Sequence, residues 1–177
     1  MPNVKDSLQT RSRILTAAMK RFAEGGFEGS TLRDIASDAD VSLGLIRHHF
    51  GSKDNLRDAC TDLALAAVRN AESQALLNNG QLRDLPAGMQ RYIARTVLED
   101  SAGGRKLFDE MFASSVRLSN SPVSSSLPLV ITVMTLGIPL LENQLTRLLG
   151  TPALEGEGLR TIRSALVELF TTTQLDG

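Results

Sequence analysis

The sequence predicts an all-α protein: an N-terminal three-helix helix-turn-helix domain over residues 1–52, then a C-terminal helical domain over 53–177. Three observations carry this. Leu and Ala dominate the apolar residues, while aromatic content is 4% and Trp is absent, a composition that favours helix. Apolar residues recur at helical spacing in one segment after another, with no convincing alternating strand. Clusters of Gly, Pro, Asn and Ser fall between those segments, where helices end.

Each element has its own justification. Ile14, Leu15, Ala18 and Phe22 form one stripe of a first helix from about Ser12 to Glu24, ended by Gly25 and Gly26, with Phe27 plugging a small core. The second helix starts at Thr31, whose hydroxyl can cap it, with Asp34 completing a capping-box pattern. Leu32, Ile35, Ala36 and Ala39 face inward. Asp40-Val41 is the turn, where Asp is a tolerable residue for a positive φ. Ser42 caps a third helix that ends near Phe50-Gly51. A fourth runs from Ser52 to about Leu77, before the break Asn78-Asn79-Gly80. Further helices are expected over Pro86–Asp100 and Gly104–Leu118. After a polar loop from Ser119 to Ser126, a long helix is expected over Leu127–Leu149, bent at Gly137-Ile138-Pro139. The last helix is expected over Leu159–Thr173.

Composition narrows the function. With 42% hydrophobic and 22% charged residues the chain reads as a globular protein. The net charge of −1 hides an asymmetry: residues 1–57 hold nine Lys/Arg against seven Asp/Glu, or +2, and the remainder ten against thirteen, or −3. The N-terminal part is thus the better partner for phosphate. Cys60, the single cysteine, cannot form an internal disulfide, and MPNVKDSLQTRSR lacks the apolar core of a signal peptide, so a reducing cytoplasm is expected. The apolar stretch Leu127 to Leu141 carries two prolines and falls short of the ~20 residues that span a bilayer. There is no Gly-x-Ser-x-Gly, no phosphate-cradling glycine loop and no Cys/His cluster, so an enzyme is not expected, nor a cofactor or metal. Gly103-Gly104-Arg105-Lys106 lacks the upstream glycine and strand of a phosphate loop.

Chemistry concentrates in residues 31–53, TLRDIASDADVSLGLIRHHFGSK. In a helix-turn-helix the second helix presents side chains to base edges in the major groove. Gly44 permits close approach, and Arg47 suits a bidentate guanine contact or a phosphate contact. His48 and His49 project ~100° apart and cannot grip one metal as an i, i+4 pair would. Either can donate to phosphate, the alternative for His49 being a wedge between helices. Lys53 sits at a helix N-terminus, where a cation costs ~0.3–1 kcal/mol unless a phosphate reverses the sign. Thr31 and Arg33 are placed similarly, Thr31 as cap or contact and Arg33 as contact.

Residues 11–57 resemble the DNA-binding domain of the TetR family, through RSRILTAAMKRFAEGGFEGSTLRDIA and VSLGLIRHHFGSKDNL. MTLGIPLLENQLTRLLG is also similar to the dimer-helix region of some members. The resemblance implies a homodimer on double-stranded DNA at a palindromic operator, and repression relieved by a small molecule held in a ligand-binding and dimerisation domain. By position, its DNA contacts fall on Thr31, Arg33, Ser42, Leu43, Gly44, Leu45, Arg47, His49 and Lys53. Three positions depart from the family pattern: Arg47 replaces a frequent tyrosine, Leu45 a frequent threonine and Asp40 a glycine in the turn.

For the C-terminal domain, the candidate dimer residues are Val130, Val133, Leu141, Leu145, Leu148, Leu166 and Phe170, the alternative being burial within one chain. The candidate effector residues are Arg91, Tyr92 and Arg95, one turn apart, with Phe108, Met111, Phe112 and Met134 as adaptable lining for a largely apolar ligand. The alternative is that this Met/Phe stripe is core and the arginines are solvated. Two functional expectations result: a dimeric, ligand-released repressor, or a constitutive DNA-binding regulator without a small-molecule ligand.

Overall fold

The computed structural model describes residues 4–77, 85–120 and 126–172, and among them are nine α-helices and no strand. A head is built from α1 (Val4–Gly29), α2 (Leu32–Asp38) and α3 (Leu43–Phe50). Helix α4 (Lys53–Leu77) leads into a body of α5 (Ala87–Leu98), α6 (Ala102–Ser119), α7 (Ser126–Leu140), α8 (Glu142–Leu149) and α9 (Gly156–Thr172). The expected break at Asn78-Asn79-Gly80 lies outside the described residues, as does most of the expected loop, residues 121–125.

The local signals act as their chemistry requires. Helix α1 begins at Val4, well before Ser12; Asp6 in its first turn complements the helix dipole, and the exposed Leu8 hides that extension from an apolar-stripe reading. At Gly26 the backbone leaves helical geometry (φ 70°, ψ 174°), and the Ser30 hydroxyl donates to the carbonyls of Arg21 (2.9 Å) and Gly26 (2.7 Å). The Thr31 hydroxyl accepts the Asp34 N–H at 3.2 Å and donates to the Asp34 carboxylate at 2.6 Å. The Ser42 hydroxyl accepts the Leu45 N–H at 3.2 Å. Asp40 adopts φ 51°, as the tight turn requires. The Ser52 hydroxyl caps α4 through the Asn55 N–H (3.1 Å), while the Asn55 side chain donates to the Phe50 carbonyl (3.0 Å), fixing α3 to α4.

Packing joins head to body. Helix α1 lies on α5, α4 on α6, and α7 on both α5 and α6. One contiguous apolar cluster runs from Ile14, Phe22, Ile35, Ile46 and Leu56 through Cys60 and Ala64 to Tyr92, Ile93, Leu107 and Leu136. Helices α5 and α6 cross closely at Gly104, where a Cβ would stand 2.2 Å from the Thr96 carbonyl oxygen. This glycine is required by helix packing, which explains the Gly103-Gly104 pair structurally.

The long, bent helix expected over Leu127–Leu149 is instead two helices, α7 and α8, at 78°. Pro139 removes a backbone donor from the last turn of α7, and Leu141 (φ −99°, ψ 11°) leaves helical geometry. Among the described residues no single helix is long and apolar enough to cross a membrane.

Candidate nucleic-acid interface

The helix pair α2 and α3 brings four of the ten candidate contacts together. Thr31, Arg33, Leu43 and Arg47 line a single open groove with Leu32 and Asp34. Arg33, Arg47, His48, Thr31, Ser42 and Gly44 are exposed, whereas Leu43, Leu45, His49 and Lys53 are half-buried. Neither Arg33 nor Arg47 forms an ion pair among the described residues, so two guanidinium groups point outward unneutralised. Arg47, His48 and His49 occupy the last turn of α3, where positive charge complements the helix dipole. Nothing but the Ser42 hydroxyl, at 3.8 Å, would meet a Cβ at Gly44. The glycine is therefore not demanded by the head's own packing; it keeps the outward surface of α3 low.

The histidines stack on their chain neighbours, whereas Lys53 has a partner that the sequence did not reveal. The His48 and His49 rings stand edge to face at 5.5 Å, and His49 lies 6.2 Å from the Phe50 ring. The Lys53 ammonium sits 4.3 Å above the Phe27 ring, and the Arg57 guanidinium 4.0 Å from the same ring. The quadrupole of Phe27 thus offsets the unfavourable placement of a cation at the start of α4.

Two arginines of α1 hold this face in place. Arg21 makes a bidentate pair with Asp38 at the end of α2, both bonds 2.6 Å; it holds the Asp38 carboxyl below its ordinary pKa while its own rises. Arg13 reaches the turn itself, donating to the carbonyls of Ala39 (2.6 Å) and Asp40 (2.9 Å) and to the Asp40 carboxylate (3.2 Å). Sequence reasoning missed Arg13. The one available signal was Asp40 at a positive-φ position, but its partner lies 27 residues away.

In the body, the candidate effector residues Arg91, Tyr92 and Arg95 are each engaged in contacts within the chain. Tyr92 is 1% exposed, its hydroxyl 3.0 Å from the Thr61 hydroxyl and donating to the Arg57 carbonyl at 3.3 Å, and burial pushes its pKa up to about 12. Arg91 is bound to Glu142 by two 2.6 Å hydrogen bonds, and Arg95 pairs with Glu99 at 3.3 Å. Phe108 and Met111 pack against the main core, and Phe112 and Met134 are half-buried. A shallow, open concavity between the end of α5 and α6 takes in Phe108 from this set, together with Val97, Asp100 and Arg105. Burial also pushes the Cys60 thiol up to about 12.

The candidate dimer residues stand differently. Val130, Val133, Leu141 and Leu148 are exposed, Leu148 to 77%, and Leu129 and Leu140 are exposed as well. Leu145 and Leu166 are half-buried, and the side chain of Phe170 lies outside the described residues.

An all-helical chain whose N-terminal helices form a braced helix-turn-helix defines a class: helix-turn-helix proteins with a helical body. Residues 14–60 match the model of a family described as bacterial regulatory proteins, tetR family, so the likeness falls on the head. It is 34% identical over 112 residues to the HTH-type transcriptional regulatory protein RaaS of Mycobacterium tuberculosis, covering 59% of this chain and 52% of that protein. It is 38% identical over 80 residues to the HTH-type transcriptional repressor AcnR of Corynebacterium glutamicum, covering 45% of this chain and 40% of that one. The chain thus spans about half the length, or less, of these relatives. A crystal structure of a linker-substituted HlyIIR shares the fold at a TM-score of 0.51 and 17% identity, over 88% of this chain and 94% of that one.

Proposed function

We propose that the chain is a sequence-specific DNA-binding transcriptional regulator, a dimeric repressor that a small, largely apolar ligand releases from a palindromic operator. The observation that carries the DNA-binding part is the outward groove of α2 and α3, with Arg33 and Arg47 unpaired on it. Arg47 supplies a bidentate guanine or phosphate contact, Arg33 and the α2 N-terminus a phosphate contact, and Leu45 an apolar contact to a thymine methyl. His48, His49 and Lys53 add donors around that centre. The regulator acts in the cytoplasm, where its operator is, and is not an enzyme.

The exposed apolar residues of α7 and α8 support a homodimer, because a surface of this kind is covered when two copies pack. Two heads entering successive major grooves need recognition helices ~34–36 Å apart, and a ligand that prefers another spacing shifts the dimer off DNA. One observation favours a second reading, a regulator without a small-molecule ligand: Tyr92, Arg91 and Arg95 are already engaged within the chain.

The test is selection of bound duplexes from a random pool by the purified protein at near-physiological salt. An enriched inverted repeat supports the proposal; only salt-sensitive, sequence-blind binding overturns it. A thermal-shift screen against apolar small molecules then separates the two readings, since a stabilising effector excludes the second.

A further inference from the structure

We infer that Arg13 is a positioning residue for sequence readout: it clamps the turn between α2 and α3 and so sets the angle at which α3 is presented. The inference rests on the DNA-binding reading above. Asp40 holds φ 51°, a conformation that a glycine adopts at no steric cost and an aspartate does not. The turn is therefore strained at the joint that orients α3. One guanidinium nitrogen of Arg13 meets that joint at three acceptors: the Ala39 carbonyl at 2.6 Å, the Asp40 carbonyl at 2.9 Å and the Asp40 carboxylate at 3.2 Å. The Arg21–Asp38 pair anchors the last turn of α2 to the same helix, α1.

The geometry distinguishes this role from a simple surface ion pair. The Asp40 side chain is 98% exposed, so its charge attraction to Arg13 is screened and weak. The two carbonyl bonds are what hold the turn, and they fix backbone rather than a flexible side chain. A lysine, with a compact ammonium in place of the planar guanidinium, is not equivalent here. With Arg13 removed, Asp40 is free to relax toward negative φ, and α3 swings with it.

The experiment compares wild type, Arg13→Ala, Arg13→Lys, Asp40→Gly and the double variant Arg13→Ala/Asp40→Gly. Each is titrated with the duplex that wild type enriches and with a scrambled duplex, across a salt series. The clamp predicts that Arg13→Ala loses roughly tenfold of its discrimination, the scale of one degraded base contact. Arg13→Lys loses much of the same, and the slope of affinity against salt stays unchanged. It further predicts that the loss shrinks in the Asp40→Gly background, where the turn needs no clamp. Equal weakening on both duplexes with a shallower salt slope would make Arg13 a phosphate contact and overturn the inference. Unchanged discrimination would overturn it too. If wild type enriches no sequence, the DNA-binding reading fails by itself. Amide exchange at residues 40–45 then decides the clamp: faster exchange in Arg13→Ala sustains it, and unchanged exchange removes it.

Discussion

Head and body differ in how completely each is finished by its own chain. In the head, Ile14, Ala18, Phe22, Ile35 and Ile46 are at most 3% exposed, α2 and α3 start on the hydroxyl caps expected for them, and Leu8 is the one large apolar side chain left exposed among the described residues of these helices. In the late body, α7 and α8 leave Val133, Leu141 and Leu148 in water, and α8 has no buried residue at all. A finished surface rich in unpaired cations suits a polyanion that comes and goes. An unfinished apolar surface suits a permanent partner of like chemistry.

The largest break in this comparison is expected inside the body. Gly104→Val would drive a side chain into the Thr96 carbonyl, 2.2 Å from the first added atom, and separate α5 from α6. A loss of about 3 kcal/mol or more is expected in urea unfolding, with the head melting along with the body because they share one core.

A matched pair of surface variants sharpens the contrast next. Arg47→Ala should weaken binding to the enriched duplex by about 1–3 kcal/mol while leaving the melting temperature and the oligomeric state unchanged. Leu148→Glu should do the reverse, shifting sedimentation toward the monomer with the monomer still helical. If Leu148→Glu leaves association intact, the exposed face of α8 is not the dimer surface.

The third prediction concerns acid. Glu72 on α4 is 7% exposed and held by two hydrogen bonds from Arg117 on α6, and Glu110 accepts from both Arg117 (3.1 Å) and Arg69 (2.8 Å). The arginine hydrogen bonds hold both carboxyls below the ordinary glutamate value of 4.5. A depressed folded pKa means stability that is fully present above that value and lost as pH falls through the lower, folded one. Glu72→Gln should therefore cost about 1–3 kcal/mol near neutral pH and flatten, without abolishing, the loss of stability below pH 4.5. Melting curves at pH 7 and pH 4 check both parts. The smallest effect is local to the head: Thr31→Ala removes the cap of α2 and should cost about 1 kcal/mol in thermal unfolding.

Legibility followed the same division. The head could be read in the sequence because its signals are local: Thr31 caps three residues before Asp34, Ser42 three before Leu45, and Gly26 breaks α1 where it stands. The braces were invisible because Arg13 and Asp40 are 27 residues apart and Arg21 and Asp38 are 17 apart. The body hid more. Arg91, Tyr92 and Arg95 share one short helix, as pocket residues also would, and only the partners of Tyr92 and Arg91, Thr61 and Glu142, at separations of 31 and 51 residues, reveal what those two do. Pro139 signalled a disturbance correctly, but a proline alone does not fix its size, and the turn of 78° follows from the chain leaving helical geometry at Leu141.

The apolar cluster that runs unbroken from Ile14 to Leu136 bears on how such a protein can change over time. Heads and bodies joined by a polar seam can be exchanged like parts, and a new operator specificity could be acquired by recombination. Here Leu56, Cys60 and Tyr92 are common property of both halves, so a borrowed head brings a mismatched interior with it. If α3 reads DNA as proposed, new specificity is expected to arise by substitution on its outer face, one side chain at a time, and chimeras cut at residue 52 should fold poorly even when both parents fold well.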